Sequence, residues 1–150
     1  MANSYRTARK KIVDSLVAKI KLIDGQFPSN SNVFQNVHGG MTFLDDIQEF
    51  PKICVVAGDE TREYMPNEFK WRFMSVDIRV YVEDQDDPQE VLSLLMEDIE
   101  RVIDNNDVLT YDDTVSPHLT TTSLTLQSMS TDEGVLTPLG VGELTLECRY

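Results

Sequence analysis

A chain of 150 residues suits one domain, and at this size roughly 70% of the unfolded surface can be buried, so neither a disulfide nor a metal is required to hold it. Hydrophobic residues at 41% and charged residues at 26% are ordinary for a soluble globular protein, and no apolar run approaches the ~20 residues of a membrane span. The formal charge of −13 is not ordinary, and a body this acidic repels phosphate backbones, which disfavours general nucleic-acid binding.

The charge is uneven. Residues 1–21 hold Arg6, Arg9, Lys10, Lys11, Lys19 and Lys21 against only Asp14, a net of +5, so the rest carries −18. The first helix is expected to pair with the acidic body of its own chain before any partner. The N-terminus is polar and basic with no apolar stretch after it, which reads as no signal peptide and places synthesis in the cytoplasm.

In chain order, residues 4 to about 24 predict an amphipathic helix with Ser4 as N-cap and Ile12, Leu16, Ile20 and Ile23 on its apolar stripe. Gly25 fits the left-handed stop, and Pro28 prevents a return. Residues 26–41 read as a loop with one edge strand near Val33-Phe34, and Thr42 as the cap of a single turn through Ile47. Pro51–Ala57 is a short β-branched run suited to a strand buried on both faces. Gly58–Asn67 reads as an acidic loop.

A long strand follows from about Glu68 to Glu83. Phe69, Trp71 and Phe73 occupy odd positions, whereas Val76, Ile78, Val80 and Val82 occupy even ones. A strand of period two cannot exchange its apolar face without a bulge, a twist or two different partners. Asp87, Pro88 and Glu90 then predict the cap and first turn of a second helix, which runs to about Asn105 with Val91, Leu95, Ile99 and Val102 inward. Residues 106–119 read as an acidic loop. Leu124 and Leu126, then Leu144, Leu146 and Cys148, alternate with polar residues and predict a closing hairpin. Its connection, Ser130–Gly140, is too long for a tight turn and should project. The sum is an α+β domain spanning 1–150, with two main helices on one face of a mixed, mainly antiparallel sheet of about four to five strands.

No catalytic, cofactor or metal constellation emerges. A calcium loop starting at Asp84 fails at its sixth and twelfth places, Gln89 and Leu95, and helix capping explains those acids. His38 and His118 lie apart in predicted loops, and Asp132-Glu133 reads as a hydrated turn. Cys54 and Cys148 form no cluster and read as buried free thiols. Phe69, Trp71 and Phe73 carry two readings. They fill the core under a helix, or they anchor a contact between subunits, where aromatics are enriched; the phase change favours the second.

The order of elements has a parallel. A basic first helix precedes Phe50-Pro51-Lys52-Ile53-Cys54-Val55-Val56. A long strand then ends in Val80-Tyr81-Val82-Glu83-Asp84, a Pro-started helix follows, and the final strand reads Gly142-Glu143-Leu144-Thr145-Leu146-Glu147-Cys148-Arg149-Tyr150. Over nearly the whole chain this resembles the tail terminator (tail completion) proteins of long-tailed bacteriophages. The resemblance implies a non-enzymatic virion protein at the head-proximal end of the tail, assembled in the host cytoplasm. It implies a homo-hexameric ring that caps the tail tube, stops its polymerisation and offers a surface to head-completion (neck) proteins, with no cofactor and no membrane. DNA would pass the pore without specific binding, helped by the acidic charge. Within that frame Phe69, Trp71 and Phe73 are candidates for the subunit contact. Asp59, Glu60, Arg62 and Glu63, and Asp132, Glu133, Val135 and Leu136, are candidates for loops that face partners. The competing readings are another neck or head-completion protein, a small enzyme or ligand-binding domain, and a calcium-dependent module.

Overall fold

A computed structural model describes residues 4–150, with side chains from residue 8 onward. Helix α1, Ser4–Ile20, buries Ala8, Ile12, Leu16 and Ile20 at successive turns. It ends earlier than expected, because Leu22 N and Ile23 N donate to Lys19 O and Ile20 O, the tighter bonding of a final turn. Gly25 is left-handed (φ +82°), but within the loop closed by the Asp24–Asn32 bridge, not as the helix stop. The cap expected of Ser4 falls on a side chain outside those described.

The edge strand lies later than Val33-Phe34. It is β1, Val37–Gly39, parallel to β2, Lys52–Tyr64. Thr42 caps nothing. A 3₁₀ turn at Leu44–Asp46 starts without a side-chain cap, and Thr42 instead offers its carbonyl to the Tyr81 hydroxyl at 3.2 Å. β2 continues through the segment expected to be a loop. It pairs antiparallel with β3, Lys70–Glu83, as far as Tyr64 opposite Lys70. Favourable pairing with a neighbouring strand outweighs the poor strand propensity of the acidic residues there.

Helix α2, Pro88–Asn105, begins as the sequence predicts. The Asp87 carboxylate accepts from Glu90 N at 3.2 Å, and that of Asp84 accepts from Asp86 N and Asp87 N, so these acids are spent on turn and cap. The stretch expected as a loop over 106–119 holds a small second sheet, β4 (Thr110–Asp112) with β5 (Leu119–Thr120). The closing hairpin is β6, Ser123–Thr131, with β7, Leu139–Arg149. The main sheet runs β1-β2-β3-β7-β6, antiparallel except at β1, and both helices cover one face.

On that face Ile53, Val55, Met74, Val76, Ile78, Val80, Leu124, Leu144 and Leu146 meet the apolar stripes of α1 and α2. Leu126 is only half-buried. Helix α2 approaches β7 so closely that a Cβ on Gly142 would lie 2.6 Å from Met96 Sδ, so any larger residue there would have to push the Met96 side chain aside. Both cysteines are buried and free, as expected. Cys54 lies opposite Arg79 and Cys148 opposite Met74, so alternation puts them on different faces. Burial, then the charge of Glu60, pushes the Cys148 thiol up to about 12.

Candidate functional site

β3 never exchanges faces. Its even residues from Met74 to Val82 all point at the helices, and the odd Trp71 and Phe73 point away. The irregularity lies on its partner, where Gly58 and Asp59 together oppose Ser75 and shift the register between Ala57 and Glu60. This bulge turns Glu60 onto the helix face. Beyond it β2 and β3 leave the body as a two-stranded ribbon, closed by a turn in which Met65 N donates to Phe69 O at 2.7 Å and Glu68 is left-handed (φ +64°).

The ribbon carries the aromatic residues singled out in the sequence, and they do not behave alike. Trp71 and Phe73 are half-buried on the helix-free face, where the Arg149 guanidinium sits between them, 5.0 and 4.9 Å from the ring centroids. Phe69 meets Trp71 edge to face at 4.8 Å and stays 50% exposed. Tyr64 and Met65, which the sequence reading passed over, are 72% and 40% exposed beside it. On the helix side, Tyr64, Phe69, Arg72, Tyr111 and Tyr150 border a cleft of about 540 Å³. A hairpin drawn through residues 58–67 would have revealed Tyr64 as a tip aromatic.

The acidic candidates separate too. Asp59, Arg62 and Glu63 are exposed on the strand edge, not in a loop. Glu60 faces its own chain: its side chain is 5% exposed, and it accepts from Arg9 Nη1 at 3.2 Å and from the Tyr150 hydroxyl, with Arg62 alongside. Arg9 also donates to Gly58 O at 2.7 Å, so α1 clamps the bulge. With Lys11 on Asp112 and Lys10 on Asp14, the basic helix pairs within the chain, as its charge suggested.

Burial alone would raise the Glu60 pKa, but the hydrogen bonds from Tyr150 and Arg9 and the charge of Arg62 hold it below 4.5. Asp112 is lowered chiefly by Lys11, then by Thr114. Asp132 is lowered by the amides of Leu136 and Val141 and by Gln89, against the opposing effect of burial. A depressed carboxylate stabilises the fold above its unfolded pKa, and that contribution fades as pH falls through the folded value. Glu60→Gln is therefore expected to lose less melting temperature than the parent between about pH 6 and about pH 3. Relief of general acidic repulsion is common to both proteins and cancels in the comparison. Equal losses in thermal melts would show that Glu60 does not carry this linkage.

The connection 132–138 is folded on itself instead of extended. Asp132 accepts from Leu136 N, Val141 N and Gln89 Nε2 at 2.9–3.1 Å, so it is a brace between the hairpin and α2, not a partner-facing acid. Glu133, Val135 and Leu136 do face outward, Val135 at 82% exposure. Among the described residues no group of three His, Cys, Asp or Glu is placed to hold a metal ion, and His38 and His118 are both exposed.

A family model described as Bacteriophage Tail Tube Terminator Protein matches residues 6–150. The chain is 37% identical over 151 residues to the tail tube terminator protein p142 of Escherichia phage T5, covering 95% of this chain and 92% of that protein. A chain in the virion of a native gene transfer agent particle superposes with a TM-score of 0.50 over 76% of this chain and 77% of its own, at 10% identity, which is a likeness of fold.

Proposed function

This chain belongs to the bacteriophage tail tube terminator family, and from that membership we propose that it caps the tail tube as a homo-hexameric ring, stops polymerisation and receives the neck proteins. The observation that carries the reading is the match along essentially the whole chain, which transfers a complete domain and not a shared fragment. It acts as a structural part of the virion tail, not a catalyst. Its place is the head-proximal end, reached after assembly in the host cytoplasm.

The architecture suits that role. The ribbon with Tyr64, Met65 and Phe69 leaves aromatic surface uncovered beyond the sheet, which fits a contact completed by a neighbouring subunit, with Trp71 and Phe73 supporting it from below. Glu133, Val135 and Leu136 at the opposite end of the hairpin, and Asp59, Arg62 and Glu63 on the ribbon edge, serve as contacts to the tube or neck. Six copies multiply the −13 of the chain, and the share of that charge lining the pore keeps DNA from adhering as it passes.

Phage particles made without this protein test the assignment by electron microscopy. Tails of uncontrolled length are expected. Tails of normal length that fail to join heads would instead assign the chain to the neck, the alternative that shares its small size.

A further inference from the structure

On the helix side of the ribbon, Arg62 stands directly opposite Arg72 and Tyr64 opposite Lys70, so three cations and a tyrosine share one face. Lys70 Nζ lies over the Tyr64 ring at 5.5 Å, and the Arg72 guanidinium over that of Tyr150 at 5.6 Å. Glu60 below them is already shared by Arg9, Arg62 and Tyr150. Like charges set opposite each other repel, so this face gains from carboxylates brought to it. With Tyr64, Met65 and Phe69 exposed at its tip, the ribbon has an apolar end and a cationic side, in a chain of formal charge −13.

The far end of β6 has the opposite character. β6 is the last strand of the sheet, and the shift in register between Leu126 and Ser128 turns Met129 toward α2. Strand and helix leave a groove of about 690 Å³ between them, lined by Met96 and Met129 with Glu97, Glu100 and Glu133 along it; among the described residues no Lys or Arg lines it. Its strand wall is an open edge. Asp107 covers the start of β6, accepting from Leu124 N at 3.2 Å, whereas residues 127–131 are exposed. The chain carries no Asp, Glu, Lys or Arg between Asp113 and Asp132, although 26% of its residues are charged, so β6 lacks the charges that commonly guard such an edge. An unguarded edge accepts an incoming strand.

A closed ring needs two different patches on each subunit, since a patch that matches itself closes a dimer. Ribbon and groove meet that need. The ribbon continues β2 and β3 past the Phe73–Arg149 pair, whereas Met129 lies two strands away, opposite Leu144 and so level with Ile78. A copy's own ribbon therefore leads away from its own groove. We infer that the ribbon end of one copy docks in the groove between β6 and α2 of the next, with Tyr64 and Phe69 against Met96 and Met129 and the ribbon cations toward Glu97 and Glu100. Thioether and ring make favourable contacts, and the charges match where two acidic bodies otherwise repel. The inference rests on the ring proposed above and names the surface that receives the ribbon.

Blocking one patch at a time tests it on the full-length protein, by native mass measurement in whichever setting the parent assembles, alone or with tube subunits. Glu97→Lys with Met129→Ser spoils the groove, and both side chains are exposed, so the monomer's melting temperature is expected to stay unchanged. This variant is expected to weaken ring formation at least tenfold. Tyr64→Ser with Phe69→Ser spoils the ribbon and leaves the groove intact. Mixing the two variants leaves one working ribbon and one working groove, so dimers holding one copy of each are expected, and nothing larger. Rings of the groove variant at parental affinity would overturn the inference and leave the ring itself standing. A mixture that stays monomeric at concentrations well above those at which the parent assembles would reject the pairing of these two patches. A parent that stays monomeric in both settings would overturn the ring and this contact together.

Discussion

Asp98→Ala is expected to lower stability by about 3 kcal/mol, the largest single loss outside the apolar core. Asp98 is fully buried on α2. It accepts from Asn30 N at 2.9 Å, from Asn30 Nδ2 at 3.2 Å and from Ser31 N at 2.8 Å, and it pairs with Arg101 at 3.1 Å. Arg101 donates in turn to Ser29, so one carboxylate fastens the connection after α1 to the second helix. Truncation leaves these donors to partial rehydration, with a hole where the carboxylate stood. For a chain of this length the loss corresponds to roughly 6–12 °C in melting temperature. Asp98→Asn keeps one acceptor oxygen and should fall between. Faster amide exchange at Asn30 and Ser31 is the local signature. An unchanged melt with those amides still protected would mean that the connection is held by something else.

Tyr64→Ser combined with Phe69→Ser is expected to weaken ring formation by roughly two to three orders of magnitude while leaving the fold intact. Truncating an anchoring aromatic at a contact costs about 2 kcal/mol, or close to thirtyfold, and the two rings sit together at the ribbon tip. Both are largely exposed in the single chain, so their loss takes little from the monomer. Trp71→Ala should weaken assembly as well, but it also removes a wall of the slot that holds Arg149, so its effect mixes fold with contact. The tip pair separates the two. Sedimentation showing parental oligomers in the double variant would remove the ribbon from the contact, and a lowered melting temperature would mean the tip is part of the fold.

Two kinds of signal in the chain were readable and one was not. The cap at Asp87, the stripes of α1 and α2 and the alternating leucines of β6 and β7 are local, set by spacings of two or of three and four residues. Asp98 was readable and missed. It falls three residues after Leu95 and four before Val102, on the apolar stripe itself, where a carboxylate must have buried partners. The apparent change of face in β3 was a true observation about residues 69–73, but its structural counterpart sits across the ladder, in the bulge at Gly58 and Asp59. Glu60 followed from that: taken for a surface acid in an acidic stretch, it is turned inward by one extra residue on its strand and meets Arg9 and Tyr150, far away along the chain.

The chain by itself determined the two helices, the closing hairpin, the fold class and the resemblance to tail terminators, because repeating apolar positions and caps act over a few residues. Only the tertiary structure decided that residues 58–64 are strand, that Trp71 and Phe73 face away from the helices, and which carboxylates are spent inside the molecule. Strand extension and ion pairing are stabilised by partners brought close in space from distant segments, and a neighbour of that kind leaves no periodic trace in the segment it completes.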